Sequence, residues 1–131
     1  MRVFVAGGTG LIGRYLIGEL LVQGHLITVL TRNIGKAKQK LDNKVSFCEN
    51  LYEISTLDSY DAVINLAGEP IAGKLWTEKQ KERLCQSRWD ITSRLAQLIN
   101  ESCNPPYIFI SGSAVGYYGA QDSTMLTENS L

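Results

Sequence analysis

A glycine pattern close to the start of this 131-residue chain limits the folds that it can adopt. Gly7, Gly10 and Gly13 are spaced three residues apart, between the apolar run 3–6 and a segment with helical periodicity. An unbroken apolar run of this kind is typical of a strand covered on both faces, as in a parallel sheet. We therefore predict a strand, a glycine-rich turn and a helix, in that order.

Each glycine of this pattern has a distinct predicted role. Gly7 would allow a tight turn after the strand, and Gly10 would let the backbone approach a pyrophosphate whose charge the helix N-terminus stabilises. Gly13 would let the helix pack closely on the sheet. A glycine-rich turn with a purely structural role is the alternative. A nucleoside triphosphate P-loop is excluded, because no Gly-Lys-Ser or Gly-Lys-Thr follows.

The rest of the chain alternates between apolar runs and helical periodicity. Apolar runs at 26–30, 45–48, 62–66 and 107–110 predict four further strands, and a long helix is predicted over 78–102, with Thr77 and Gln80 as its capping box. Segment 31–44 is predicted to be a loop with at most a short helix. Strands alternating with helices predict an α/β fold with a parallel sheet.

The first helix carries three more specific expectations. Ile12, Leu16 and Leu20 are predicted to form its buried stripe, and Gly24 is predicted to end it. Gly18 inside this helix costs about 1 kcal/mol relative to alanine, so we expect it to mark a close contact.

The end of the second strand bears on the choice of cofactor. Folds that bind NAD usually carry an acidic residue there for the ribose 2′-hydroxyl, whereas this chain has Thr31 and Arg32 and no acid before Asp42. A guanidinium matches the geometry of a phosphate, so the sequence favours NADP over NAD. The alternative for Arg32 is a solvated side chain in a basic loop.

Two further segments follow predicted strands. Asn65, Leu66, Ala67 and Gly68 would let backbone run beside the cofactor, although a packing turn fits them equally. The segment 111–119 places hydroxyl groups where α/β sheets bind ligands. In the segment 111–119, a serine could donate a hydrogen bond to a substrate, and Tyr117 or Tyr118 could transfer a proton if a neighbouring cation lowered its pKa. Packing of the tyrosines against the loop is the alternative.

Composition limits the other functions of the chain. Thirteen basic and thirteen acidic residues balance, so we expect neither a nucleic-acid nor a membrane partner. No apolar run approaches the roughly 20 residues that span a bilayer. Three widely separated cysteines and a single histidine match no metal-binding spacing, and we expect reduced thiols, no metal site and a cytoplasmic location.

Taken together, four of these motifs resemble those of a known family. GGTGLIG at 7–13, LTR at 30–32, NLAG at 65–68 and SGSAVGYYG at 111–119 resemble the extended short-chain dehydrogenase/reductase superfamily. The run from Asn65 to Arg83, with Ser87, Arg88 and Thr92, is similar to its YfcH-like and 39U1-like subfamily of epimerase-family proteins. The resemblance implies a set of cofactor-binding residues: Gly7, Thr9, Gly10, Leu11, Ile12, Gly13, Thr31, Arg32, Leu66, Ala67, Gly68 and Glu69. It implies a Rossmann-like doubly wound parallel sheet over residues 1–131, the N-terminal part of an NAD(P)-binding domain, and Ser113 as the active-site serine. Tyr117 is a second candidate catalytic residue by its place in segment 111–119.

The same resemblance predicts what the whole protein does. We expect the N-terminal part of an NADP-dependent epimerase, dehydratase or oxidoreductase acting on a sugar-like or other small hydroxyl substrate, with the C-terminal substrate region absent and this part inactive alone. Superfamily catalysis usually needs a Tyr-x-x-x-Lys pair, but Gln121 and Asp122 stand four residues after Tyr117 and Tyr118. A non-catalytic NAD(P)-binding sensor is therefore the alternative. The long helix often forms a dimer contact in this superfamily, which makes a homodimer a candidate assembly.

Overall fold

The fold is an open parallel sheet with helices on both faces. The structure, a computed structural model, describes residues 1–68, 77–113, 119, 123, 125–127 and 129–130. The strands are β1 (Arg2–Ala6), β2 (Leu26–Leu30), β3 (Ser46–Cys48), β4 (Ala62–Asn65) and β5 (Ile108–Ser111). The helices are α1 (Leu11–Val22), α2 (Ile34–Lys38) and α3 (Glu78–Glu101), with a single 3₁₀ turn at Leu51–Glu53. All strand pairs are parallel, in the order β3-β2-β1-β4-β5. The predicted doubly wound α/β fold is confirmed.

Side chains of β1 alternate between two apolar cores, one on each face of the sheet. Val3 and Val5 belong to the core that Ile17 of α1 completes. Phe4 and Ala6 belong to the opposite core, where Leu95 and Leu98 of α3 pack. The unbroken apolar run at 3–6 is thus explained by burial on both faces, because successive strand side chains point in opposite directions.

Helix α1 is rotated relative to its predicted orientation. Ile12 is 70% exposed, and the buried line runs instead through Gly13 and Ile17. Leu16 and Leu20 are partly buried against the same core, as predicted. Gly13 lies against the glycine-rich turn, and that contact sets the rotation of the helix. Ile12, about 100° away around the axis, consequently faces solvent.

The two other glycines of this region have different outcomes. The expectation for Gly18 is wrong, since it is exposed and a Cβ built there would meet nothing within 4 Å. Gly24 ends the helix as predicted, with φ +79°. The N–H of His25 donates to the Leu20 carbonyl and that of Gly24 to the Leu21 carbonyl, both at 3.0 Å, which is a Schellman motif.

The edge strand β5 is much less covered than its neighbour β4. All four residues of β4 are buried, whereas Ile108, Phe109 and Ile110 are 45%, 39% and 52% exposed. Thr77 caps α3 by accepting a hydrogen bond from the Gln80 N–H at 3.2 Å, as the capping-box pattern predicts. Within the described ranges, no helix has the length and apolarity needed to cross a membrane.

Candidate dinucleotide-binding site

The glycine-rich turn is in backbone contact with the end of β4. Gly7 has φ +80°, and a Cβ there would lie 2.5 Å from the carbonyl carbon of Leu66. A Cβ on Gly13 would lie 2.6 Å from the Gly7 carbonyl oxygen and 2.7 Å from Cα of Gly8. The turn therefore requires glycine at 7 for its backbone angle and at 13 for space. Gly13 contacts the turn itself, whereas the sequence predicted contact with the sheet.

The first turn of α1 leaves backbone donors available. Its N-cap is Gly10, which has no side chain to accept a hydrogen bond, and its first turn carries no acidic residue. The first helical bond runs from the Arg14 N–H to the Gly10 carbonyl, so in the described part of the chain the N–H groups of residues 11–13 have no acceptor. A Cβ on Gly10 would approach only the Gly7 oxygen, at 3.3 Å. Free N–H groups and a helix N-terminus together favour an anion at this position.

A cleft of about 590 Å³ opens in front of this helix end. It lies at the carboxyl ends of β1, β2 and β4, where the chain switches from helices on one face to helices on the other, the usual ligand position in such sheets. Of the sequence-predicted cofactor residues, eight line it: Gly7, Thr9, Gly10, Thr31, Arg32, Leu66, Ala67 and Gly68. Leu11, Ile12 and Gly13 form the adjoining first turn of α1. Glu69 lies outside the described residues.

Short hydrogen bonds order the chain between β2 and α2. Thr31 donates its N–H to the Cys48 carbonyl at 2.9 Å, and its Oγ1 accepts from the Asn33 N–H at 3.3 Å. Asn33 then caps α2, its Oδ1 accepting from the Lys36 N–H at 2.9 Å. Arg32, between these two turns, is exposed and lines the cleft. Burial raises the pKa of the neighbouring Cys48 thiol, which donates a hydrogen bond to the Asn50 carbonyl.

Several residues that line the cleft were not predicted from the sequence. They come from two helices: Lys36, Ala37 and Lys40 from α2 and the turn after it, and Ser87, Asp90 and Ile91 from α3. The sequence predicted at most a short helix within 31–44, and a lone asparagine such as Asn33 is too common an N-cap signal to locate a five-residue helix there. The α3 residues reach the cleft only because α3 crosses back over the sheet.

Asn65 links the cleft to the last strand. It is 4% exposed, and its Nδ2 donates to Thr92 Oγ1 at 2.9 Å and to Ser111 Oγ at 3.3 Å. Its Oδ1 accepts from the Ala67 N–H at 3.2 Å, and its carbonyl accepts from the Gly112 N–H at 2.8 Å. One side chain thus connects β4, the residues after it, β5 and α3.

The two predicted catalytic residues have different outcomes. Ser113 is exposed just beyond β5, two residues after Ser111, and it does not line the cleft. Tyr117 lies outside the described residues. In the described ranges, no group of three histidine, cysteine, aspartate or glutamate side chains is arranged to hold a metal ion.

Comparisons with known proteins identify relatives of this chain. The family model of the NAD dependent epimerase/dehydratase family matches residues 3–131. The chain is 37% identical over 131 residues to "Epimerase family protein YfhF" from Bacillus subtilis, covering 99% of this chain and 43% of that protein.

Two solved structures share the fold at appreciable identity. Human epimerase family protein SDR39U1, crystallised with NADPH, superposes with a TM-score of 0.77 at 32% identity, covering 95% of this chain and 40% of that one. A nucleoside-diphosphate sugar epimerase from Corynebacterium glutamicum superposes at 0.74 with 33% identity, covering 99% and 26%. The chain therefore spans less than half the length of each of these relatives. Its sequence and its fold together show that the chain belongs to the NAD dependent epimerase/dehydratase family.

Proposed function

We propose that this chain forms the nucleotide-binding part of an NADP(H)-dependent epimerase-like enzyme that acts on a sugar-like or other small hydroxyl substrate. The observation that carries the proposal is the N-terminus of α1, which has a glycine cap and opens onto the cleft. The family and the NADPH in the crystals of human SDR39U1 support the same cofactor class.

The glycine-rich turn is suited to the pyrophosphate of a dinucleotide. Gly10 presents open backbone to the cleft, and the free N–H groups of the first turn of α1 can donate to phosphate oxygens. Glycine at the N-cap also favours a bound anion. A serine, threonine or aspartate side chain at that position would itself accept a hydrogen bond from one of these N–H groups. A ligand anion takes the place of the missing cap.

Charge at the other end of the cleft favours NADP(H) over NAD(H). Arg32 lines the cleft directly after β2 and has no ion-pair partner among the described residues. An acidic residue at this position would hold a ribose 2′-hydroxyl and repel a 2′-phosphate, whereas a guanidinium binds that phosphate.

The proposed chemistry divides between the cofactor and the protein. The nicotinamide supplies hydride transfer when it is bound. Ser113 would donate a hydrogen bond to a substrate oxygen from its exposed position after β5, and Tyr117 would exchange a proton with that oxygen. The second candidate function is a nucleotide-binding sensor without catalysis, and a Tyr-x-x-x-Lys pair in the full-length protein would favour the enzyme instead.

The first experiment is a paired calorimetric titration of NADPH and NADH into the full-length protein, with Arg32→Asp and the control Arg83→Asp. Arg83 is an exposed α3 residue that does not line the cleft. Loss of a charge-assisted bond to phosphate costs about 1.5–3 kcal/mol, so Arg32→Asp should weaken NADPH binding about tenfold or more and leave NADH binding comparable or stronger.

Each result of this titration decides one part of the proposal. Unchanged NADPH affinity in Arg32→Asp would overturn the role of Arg32, and no binding of either nucleotide to the unmodified protein would overturn the nucleotide site. Tight NADPH binding without turnover of nucleotide-sugar or other hydroxyl substrates would favour the sensor.

A further inference from the structure

Three cationic side chains line one end of the cleft. Arg32 follows β2, and Lys36 and Lys40 come from α2 and the turn that continues it. Among the described residues that line the cleft, the one carboxylate is Asp90, which comes from α3. This end of the cleft therefore offers three positive charges to a phosphate group, where Arg32 alone would offer one.

Local structure holds the two lysines on one face. Ala37 is 1% exposed and anchors α2 in the core, while the N–H groups of Lys40 and Leu41 both donate to its carbonyl at 3.0 Å. The helical turn thus continues through Lys40, and Lys36 and Lys40, four residues apart, lie on the same side of it. Lys38 is two residues from each of them, so it points away, and it is exposed and does not line the cleft.

The cluster lacks acidic partners of its own. In the parts of the chain that the structure describes, none of Arg32, Lys36 and Lys40 forms an ion pair. Like charges held on one rim repel each other, and a bound anion relieves that repulsion. A phosphomonoester carries a charge of about −1.5 to −2 at neutral pH, so more than one cation is needed to neutralise it.

We propose that Lys36 and Lys40 bind the 2′-phosphate of NADP(H) together with Arg32 and so determine the preference for NADP(H) over NAD(H). This inference rests on the proposed function, because it assigns residues to one end of the same nucleotide site. It predicts that the discrimination between the two cofactors is shared between the strand end and α2.

The test compares two charge-matched double variants of the full-length protein. Lys36→Gln/Lys40→Gln removes both cleft lysines, and the control Lys38→Gln/Lys44→Gln removes two lysines that lie outside the cleft. NADPH, NADH, 2′,5′-ADP and ADP are titrated into each by calorimetry. ADP carries no 2′-phosphate, so it separates binding of that group from binding of the 5′-diphosphate.

The cleft variant should bind NADPH and 2′,5′-ADP about tenfold or more weakly, the effect of losing charge-assisted bonds to phosphate. Its affinity for NADH and ADP should change by less than about twofold, because neither carries a 2′-phosphate. All affinities of the control variant should change equally little, because Lys38 and Lys44 do not line the cleft. Lys36→Arg/Lys40→Arg should retain most of the NADPH affinity, because it keeps both charges.

Each of the other outcomes contradicts either the role of the two lysines or the proposed function. If the unmodified protein prefers NADPH but the two double variants bind it equally, Lys36 and Lys40 have no role and Arg32 discriminates alone. An equal loss for NADPH and NADH, in a variant whose thermal unfolding is unchanged, assigns the lysines to the 5′-diphosphate and contradicts the 2′-phosphate role. If the unmodified protein binds neither nucleotide, the proposed function itself fails.

Discussion

The glycine-rich turn and the last residues of strand β5 both lie at the carboxyl end of the sheet, but they are built very differently. Around the turn, Gly7 and Gly13 are so close to neighbouring backbone that no side chain fits. Strand β5 is an exposed edge whose three apolar residues each keep more than a third of their surface in solvent. It pairs with β4 on one side, whereas the turn contacts backbone from both β4 and α1.

This difference separates two parts of the carboxyl end of the sheet. The cleft is lined by the turn, by residues that follow β2 and β4, and by α2 and α3. Ser113 follows the less covered strand, and Asn65 makes a side-chain hydrogen bond to Ser111 at the carboxyl end of that strand. Several elements of the described chain thus surround the cleft, whereas Ser113 is exposed.

The largest effect should come from filling the space beside the glycine-rich turn. Gly13→Ala places a Cβ against the Gly7 oxygen and the Gly8 backbone, none of which can rotate away. We expect the free energy of unfolding to fall by roughly 3 kcal/mol, the upper end for overpacking, with loss of NADPH binding. Urea unfolding and calorimetry measure the two effects.

The matched control for that variant is Gly18→Ala in the same helix. Gly18 is exposed and has open space around it, so alanine should stabilise the protein by about 1 kcal/mol through helix propensity and leave NADPH affinity unchanged. Similar losses in both variants would mean that the turn has no special packing, and the contrast with β5 would disappear.

An intermediate effect is expected from cutting the link between the two regions. Asn65→Ala removes three side-chain hydrogen bonds and leaves the Ala67 N–H without its acceptor, which should cost about 2 kcal/mol. Amide exchange should accelerate at Gly112 far more than at Val5. Thr92→Val, which removes one of these bonds, should cost about half as much. Equal acceleration at Val5 would show that β5 is no less stable than the centre of the sheet.

The smallest effect concerns the other end of β5. Asp58 accepts a hydrogen bond from the Asn104 N–H at 3.0 Å, just before the strand, and this bond lowers the carboxyl pKa below its usual value of 3.8. A lowered pKa in the folded state adds stability above the unfolded pKa, and that contribution is lost as the pH falls through the folded value. Asp58→Asn should therefore be slightly less stable than the unmodified protein at pH 7.

The pH profile distinguishes this charge effect from a general loss of packing. The urea midpoints of the two proteins should converge as the pH falls through and below the usual carboxyl pKa of 3.8, because protonation removes the charge that the variant lacks. A difference that stays constant over this range would contradict the role of the carboxylate in holding the entry to β5.

Much of the local structure could be predicted from the sequence because its determinants are local. The glycine-rich turn at 7–10, the turn that ends α1 at Gly24 and the cap at Thr77 each depend on residues within one or two turns of each other. The rotation of α1 was predicted incorrectly, since apolar periodicity alone did not include the contact between Gly13 and Gly8. The close contact expected at Gly18 was wrong for a related reason, because the identity of a residue does not reveal which neighbour faces it.

The parallel α/β class, the glycine-rich turn and the position of Arg32 after β2 could be predicted without coordinates, because backbone angles and strand burial are encoded in consecutive residues. The folded structure was needed to show that Lys36 and Lys40 line the cleft and that Asn65 bonds to Ser111. Those pairings depend on strand register, with Ala6 beside Asn65 and Asn65 beside Ser111. Register brings together residues far apart in the chain, and the packing of both sheet faces sets it.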